Sequence, residues 1–331
     1  MPQIVGKEIG PIAYGMMNLT FNSEPLPTSQ QHAALTAALA SNSNFWNAGT
    51  FYGPRTANSI TLLQSYLRIH PTVLPRIVLS VKGCYDQSTR RGLGTPSAIK
   101  AEIDGVLDQL REVGVEKIDV FECARVDPDV PIEVTLKYID EEYVKKGLVG
   151  GIALSEVAAA TIRRAAKVTT IVSVENELSL WETGVLRNGV AEACAELGIP
   201  ILAYSPIGKG MLSGTIKTLD DIPANDVRRY MPRFQPDTFS INIQLVDAVR
   251  RLAEKKGCTP AQLAINWTRC LSRRPGMPQI IPLPGSSNEE RVRENNVLVD
   301  LTDEEMDEID AVLEGFTVVG GRYPEGFPID G

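Results

Sequence analysis

The stretch from Ile280 to Asn296, IIPLPGSSNEERVRENN, is the last turn of a repeating pattern and the richest in chemistry. An apolar run over 279–282 ends in prolines and a Gly285-Ser286-Ser287 turn, and a charged amphipathic helix follows at about 288–298. The first N–H groups of such a helix have no partner within it, and its dipole favours an anion there. Ser286 and Ser287 add hydroxyl donors, and Arg291 lies one turn in, where a guanidinium forks onto a phosphate. One reading is a phosphate cradle after a late strand. The other is a plain strand-to-helix loop with Asn288 as its N-cap. The stretch alone leaves both open.

Read backwards from there, the same alternation recurs seven more times. Short apolar runs predict strands at 12–16, 44–47, 77–81, 117–121, 151–154, 171–174 and 200–204. Helical patterns follow them at 29–41, 59–69, 96–113, 131–146, 157–166, 185–197 and 241–256. Eight strands, each followed by a helix, predict an α/β fold of the TIM (β/α)8 barrel type. A doubly wound dinucleotide fold would carry a Gly-x-Gly-x-x-Gly turn after its first strand; Gly150-Gly151 and Gly208-x-Gly210 have neither that spacing nor that context. A hairpin within 5–11 is placed to close the barrel bottom. Extra C-terminal helices are expected at 259–270, with Pro260 in the first turn, and at 302–313, opening with the capping-box spacing Thr302-x-x-Glu305. A long loop over 208–240 follows strand seven and contains RRYMPRFQPDTF; loops of that length are usually lids or binding loops. No linker divides the chain, so residues 1–331 read as one domain.

Composition narrows the function. Net charge of −8 over 331 residues offers nothing to nucleic acid, and the arginine pairs at 163–164, 228–229 and 273–274 read as surface. No stretch has the apolar length of a membrane span, and MPQIVGKEIG lacks the shape of a secretory signal. Cys84, Cys123, Cys194, Cys258 and Cys270 are scattered, which predicts reduced thiols in a cytoplasmic, or else nuclear, setting. His32 and His70 are the only histidines, and both read as surface residues. A histidine-based triad or zinc site is therefore not expected, and no metal is implied.

TIM barrels work at the C-terminal ends of their strands. Those ends carry Asn47-Ala48-Gly49-Thr50-Phe51-Tyr52-Gly53, then Lys82, Glu122-Cys123-Ala124-Arg125, Ser155-Glu156, Glu175-Asn176 and Tyr204-Ser205-Pro206-Ile207-Gly208-Lys209. The eighth leads to Arg291-Val292-Arg293-Glu294-Asn295. In this order the motifs resemble the aldo-keto reductases, over about residues 12–309. Within that family the Phe51-to-Pro54 segment, the 122–127 stretch and the arginine-rich loop look most like the fungal pyridoxal reductases.

The resemblance implies NADPH-dependent reduction of an aldehyde, with pyridoxal the best substrate guess. Tyr52 takes the place of the proton donor, Lys82 of its partner, and Asn47 of an aspartate that normally pairs the lysine. An ammonium beside a phenol favours the phenolate and so lowers the phenol's pKa. Because Asn47 cannot neutralise Lys82, the expectation is a less compensated ammonium and a more acidic Tyr52. Ala124 falls where the family has a histidine, which opens space for a polar aromatic aldehyde. Strand alternation puts Glu122 rather than Cys123 on the side of Ala124, where Glu122 replaces part of the polarity lost with the histidine, pairs with Lys82, or makes a structural ion pair. The resemblance further places Ser155 and Glu175, with Glu156 beside them, at the nicotinamide carboxamide, and Tyr204 under its ring. Ser205, Ile207 and Lys209 belong to the cofactor-binding segment after strand seven. Gly285, Ser286, Ser287, Asn288 and Arg291 would hold the 2′-phosphate, and Glu294 and Asn295 the adenine edge. A different function class stays in play: a nicotinamide-binding redox sensor or channel-associated subunit with little catalysis.

Overall fold

The computed structural model describes every residue except 23, 328, 330 and 331. Eight parallel strands form one sheet in chain order: β1 (Tyr14–Gly15), β2 (Phe45–Gly49), β3 (Val78–Gly83), β4 (Ile118–Cys123), β5 (Val149–Ser155), β6 (Ile171–Glu177), β7 (Ile201–Tyr204) and β8 (Ile280–Leu283). The sheet closes on itself, because Ala13 N–H donates to Pro282 O at 2.8 Å and Gly15 N–H to Pro284 O at 3.0 Å. This is the expected TIM barrel.

Alternation along each strand sorts the side chains into two cores. Trp46, Leu79, Val81, Phe121 and Val174 point outward into the layer shared with the helices. Phe45, Val78, Val120, Ala153, Leu202 and Ile281 point inward and fill the lower barrel together with Ala13, Ile4 and Ile9. Full burial of each large aliphatic or aromatic side chain is worth about 1.5–3 kcal/mol. Ile4 and Ile9 come from the N-terminal hairpin, whose strands Gln3–Ile4 and Lys7–Glu8 turn at Val5 and Gly6, both with positive φ. The hairpin therefore starts two residues before the expected 5–11 and plugs the floor.

Nearer the C-terminal end of each strand the inward positions change character. Asn47, Lys82, Glu122, Ser155, Glu175 and Glu177 are all buried there, below the rim. Register explains the company they keep: Gly49 pairs with Lys82, Lys82 with Glu122, and Glu175 with Ser155. An apolar floor thus carries a charged upper storey.

The helices follow the sequence with instructive exceptions. Asn58 caps Ser59–Ile69 by accepting the Ile60 and Thr61 N–H groups, and capping boxes open Pro260–Cys270 and Asp303–Glu314. The helix expected over 131–146 instead runs Ile132–Ile139 and then widens into a π-turn, Asp140–Val144, in which buried Tyr143 donates to Asp104 at 2.9 Å. The helix expected from 185 begins at Val190, since Gly189 with φ 87° interrupts it. The helix expected from 241 begins at Pro236, so the loop after β7 ends at Gln235 and consists of short 3-10 turns. A four-residue helix, Met17–Thr20, and a hairpin pairing Tyr85–Asp86 with Arg91–Gly92 were too short to leave a periodic signal. His32 and His70 are half-buried against Tyr66 rather than on the surface, and His32 Nε2 lies 3.1 Å from Ser65 Oγ. Among the described residues no helix is long and apolar enough to cross a membrane.

Candidate active site

Lys82 ends β3 with its ammonium inside the barrel, where it must find anions or lose its charge. It finds two. Its Nζ bonds Glu175 Oε1 from β6 and lies 3.0 Å from Glu122 Oε1 of β4. The other oxygen of Glu175 accepts from Asn47 Nδ2 at 2.8 Å. Tyr52 completes the group: its hydroxyl donates to Asn47 Oδ1 at 3.5 Å and lies in the field of the Lys82 ammonium.

The tyrosine is held from several sides. Tyr52 N–H donates to Gly49 O at 3.2 Å and its carbonyl accepts from Thr20 Oγ1 at 2.6 Å. Its ring lies so close to Gly49 that a Cβ there would sit 2.9 Å from the ring carbons, which requires glycine. Phe51 packs edge-on at 4.9 Å.

This arrangement corrects the charge argument drawn from Asn47. Lys82 is not under-compensated, because the Glu175 carboxylate bonds its ammonium in place of the aspartate. Burial pushes the Tyr52 phenol up; Lys82 pulls it down, while Glu175 and Glu122 oppose Lys82, and the net direction is upward. Burial alone would depress Lys82, but the two glutamates and Tyr52 outweigh it and hold it well above the usual ammonium range. Burial, then the neighbouring Glu175, lift Glu122 to about 8, against the pull of Lys82.

A second cluster sits at the rim. Glu156 Oε1 accepts from Tyr204 Oη at 2.9 Å, from Arg322 at 2.7 Å and from the Glu177 N–H at 3.1 Å. Glu177 binds Arg322 at 3.1 Å and also pairs with Lys209. Tyr204 and Tyr323 share a hydroxyl contact of 2.9 Å, and the Tyr323 ring stacks on Phe327 with centroids 4.5 Å apart. The C-terminal segment therefore crosses the barrel mouth above Tyr204. Backbone strain gathers here too: Cys84, Glu156, Ser205 and Lys209 all adopt positive φ just past strand ends.

Seen against these bonds, the expected nicotinamide contacts divide. Ser155 is buried and its Oγ has no hydrogen-bond partner among the described residues, as a group awaiting a ligand would be. Glu175 is turned to Lys82 and Asn47, and Glu156 to Arg322 and Tyr204, so both carboxylates already have partners. Ile207 is half-buried beside Lys209 in the strained turn. Ala124 is buried, its N–H donating to Gly83 O at 3.0 Å, and Cys123 belongs to the outer core.

Past β8, Asn288 caps Glu289–Asn295 by accepting from Arg291 N at 3.0 Å, and Ser286 Oγ accepts from Asn288 N at 3.2 Å. The turn is pinned from behind, since Tyr14 Oη donates to Ser286 O at 2.6 Å, Asn18 to Gly285 O at 3.3 Å and Gln30 to Ser287 O at 3.0 Å. The Arg291 side chain is exposed and has no ion pair among the described residues. Glu294 is half-buried and Asn295 buried behind it. Cap and open cation coexist, so the bland reading of this turn does not displace the other.

The loop arginines are staples. Arg228 pairs with Asp226 at 2.7 Å, Arg229 bonds Ile222 O, and Arg233 pairs with Glu182 at 2.6 Å while binding Trp181 O and Gly320 O. Sequence reading missed Glu177, Arg322 and Tyr323. Glu177 was discoverable as the next inward position after Glu175, whereas nothing periodic marks a segment beyond the last helix.

Residues 11–314 match the model of the aldo/keto reductase family. The chain belongs to that family. A relative named "Probable pyridoxal reductase 2" from Schizosaccharomyces pombe is 38% identical over 98% of this chain and 97% of its own. A Saccharomyces cerevisiae protein, also named for pyridoxal reductase, is 33% identical over 94% of each chain. A glycerol dehydrogenase from Gluconobacter oxydans superposes with a TM-score of 0.80 at 20% identity over 96% of both chains, which places this aldo/keto reductase on the same barrel fold. Members of the family work with nicotinamide cofactors.

Proposed function

We propose that this protein reduces an aromatic aldehyde, pyridoxal before others, to the alcohol with NADPH, in a cytosolic setting. The observation that carries the reading is the buried Tyr52 hydroxyl set in the field of the Lys82 ammonium past the C-terminal ends of β2 and β3, inside a barrel of this family. The two fungal relatives named for pyridoxal reductase direct the substrate choice.

The nicotinamide supplies the hydride when bound. Tyr52 supplies the proton: its O–H bond breaks toward the carbonyl oxygen, and Lys82 stabilises the phenolate left behind. Asn47 orients the pair by donating to Glu175 and facing the Tyr52 hydroxyl. Ser155 and the ring of Tyr204 hold the nicotinamide end, with Ser205, Ile207 and Lys209 beside them and the Glu175 carboxylate behind. Gly285, Ser286, Ser287 and Asn288 frame the phosphate turn, and Arg291 meets the 2′-phosphate. Glu294 would meet the adenine edge, with Asn295 buried behind it.

A panel of aldehydes tests the substrate assignment. Purified protein should consume NADPH with pyridoxal faster than with plain benzaldehydes, and faster than it consumes NADH. Equal rates across the panel would remove pyridoxal, and NADPH binding without turnover of any aldehyde would favour the sensor reading.

A further inference from the structure

Three buried groups with formal charge meet in the upper barrel: Lys82, Glu175 and Glu122 are 4%, 2% and 0% exposed. With both carboxylates ionised the set sums to one negative charge in a water-poor interior. Other cations at the strand ends are engaged, Lys209 by Glu177, Arg322 by Glu156 and Glu177, and Arg125 by the Ala124 carbonyl. The register partner of Glu122 on the other side, Ala153 of β5, carries no charge, and the Asn47 and Tyr52 side chains grouped with Lys82 are neutral. The two carboxylates are not equivalent. Glu175 receives donors on both oxygens, Lys82 on one and Asn47 on the other. Glu122 has one ion contact at 3.0 Å and no well-aligned hydrogen bond on either oxygen.

From this geometry we infer that Glu122 is a positioning residue that carries a proton in the active enzyme, leaving Glu175 as the sole counter-ion of Lys82. Its ionisation would place a second carboxylate on the ammonium and withdraw the field of Lys82 from Tyr52. The phenol then becomes a poorer acid, and the phenolate left by proton transfer loses stabilisation. No bond to substrate is involved; Glu122 acts on Tyr52 only through Lys82. The shift of the Glu122 carboxyl to about 8 agrees with the proton assignment. Two carboxylates sharing one proton are expected to titrate as a pair, and Glu122 is the member with less to hold its charge.

This inference rests on the proposed reductase reading, so its test has an arm that needs no turnover. In wild type, kcat should fall as pH rises through about 8. Glu122→Gln mimics the protonated form. It should keep kcat near wild type at neutral pH, within about threefold, and move the alkaline fall up by at least about one pH unit, a tenfold effect at high pH. KM for NADPH should not change. A Gln variant with the same alkaline limb as wild type, or with kcat lost at neutral pH while NADPH still binds, overturns the inference. Infrared difference spectra of the wild-type protein supply the second arm. A protonated carboxyl band should be present below about pH 8, bleach above it, and be absent from the Gln variant. Absence of that band in the wild type overturns the inference whether or not any aldehyde is turned over. Its presence in a protein that reduces nothing would leave Glu122 protonated and remove the reductase reading instead.

Discussion

Tyr52 is the residue on which the chemistry turns, and removing only its hydroxyl isolates the proton. Tyr52→Phe keeps the ring against Gly49 and Phe51, so folding and NADPH binding should survive while aldehyde reduction falls by about 10²–10⁴-fold, the usual worth of a positioned acid. Fluorescence titration with NADPH beside a turnover assay separates the two. Asn47 was read in sequence as the absence of a charge, and the structure shows it as a donor to Glu175. Asn47→Asp therefore replaces a hydrogen bond with a third carboxylate. Stability should drop by about 1–3 kcal/mol at neutral pH and recover in part toward acid, as urea melts at several pH values would show. An unchanged melt would mean that Asn47 does not hold Glu175. The identity of the Lys82 counter-ions was only half legible: alternation put Glu122 inward, but that Glu175 reaches across the barrel from β6 depends on closure, which no local pattern encodes.

At the scale of elements, the rim cluster and the eighth βα unit make separate claims. Arg322 ties the C-terminal segment to Glu156 and Glu177 with a side chain only 14% exposed. Arg322→Ala strips a buried carboxylate pair of its shared cation and should cost about 3 kcal/mol, toward the lower end for breaking a buried pair because Glu177 keeps Lys209. The sign with pH is fixed by Glu177: burial raises its carboxyl, but Lys209 and Arg322 more than reverse this, leaving it below the usual range. Its contribution is present above the ordinary carboxylate pKa of about 4.5 and is lost as pH falls further, so the cost of the substitution should shrink in acid. In the eighth unit, Arg291→Ala should weaken NADPH far more than NADH, since a bare 2′-hydroxyl never needed the guanidinium; equal loss in isothermal titration would remove the 2′-phosphate assignment. That unit was legible because turn, cap and helix are contiguous in sequence. The C-terminal strap was not, because the partners of its Arg322 lie 118 to 166 residues away and its own stretch has no period.

Across the whole molecule, the barrel separates what holds it together from what it does. The floor, with Ile4, Ile9, Phe45, Val78 and Leu202, is apolar and was readable as strand alternation. The upper storey is where polar residues occupy inward positions, and the same alternation identified them as inward without showing who pairs with whom. Burying that storey leaves a trace in global stability. The folded protein keeps the Glu122 proton up to about pH 8, whereas an unfolded chain releases it near the ordinary value of 4.5, so stability should decline as pH rises between the two. Glu122→Gln should flatten that decline in denaturant titrations. The most direct test of the account is the rate of NADPH oxidation by pyridoxal, measured for wild type and Tyr52→Phe in parallel at saturating cofactor. Steady consumption is expected of the wild type, with a loss of at least about 10²-fold in the variant while NADPH stays bound. Equal rates in the two proteins would contradict it, since the proton would then come from somewhere other than the Tyr52–Lys82 pair.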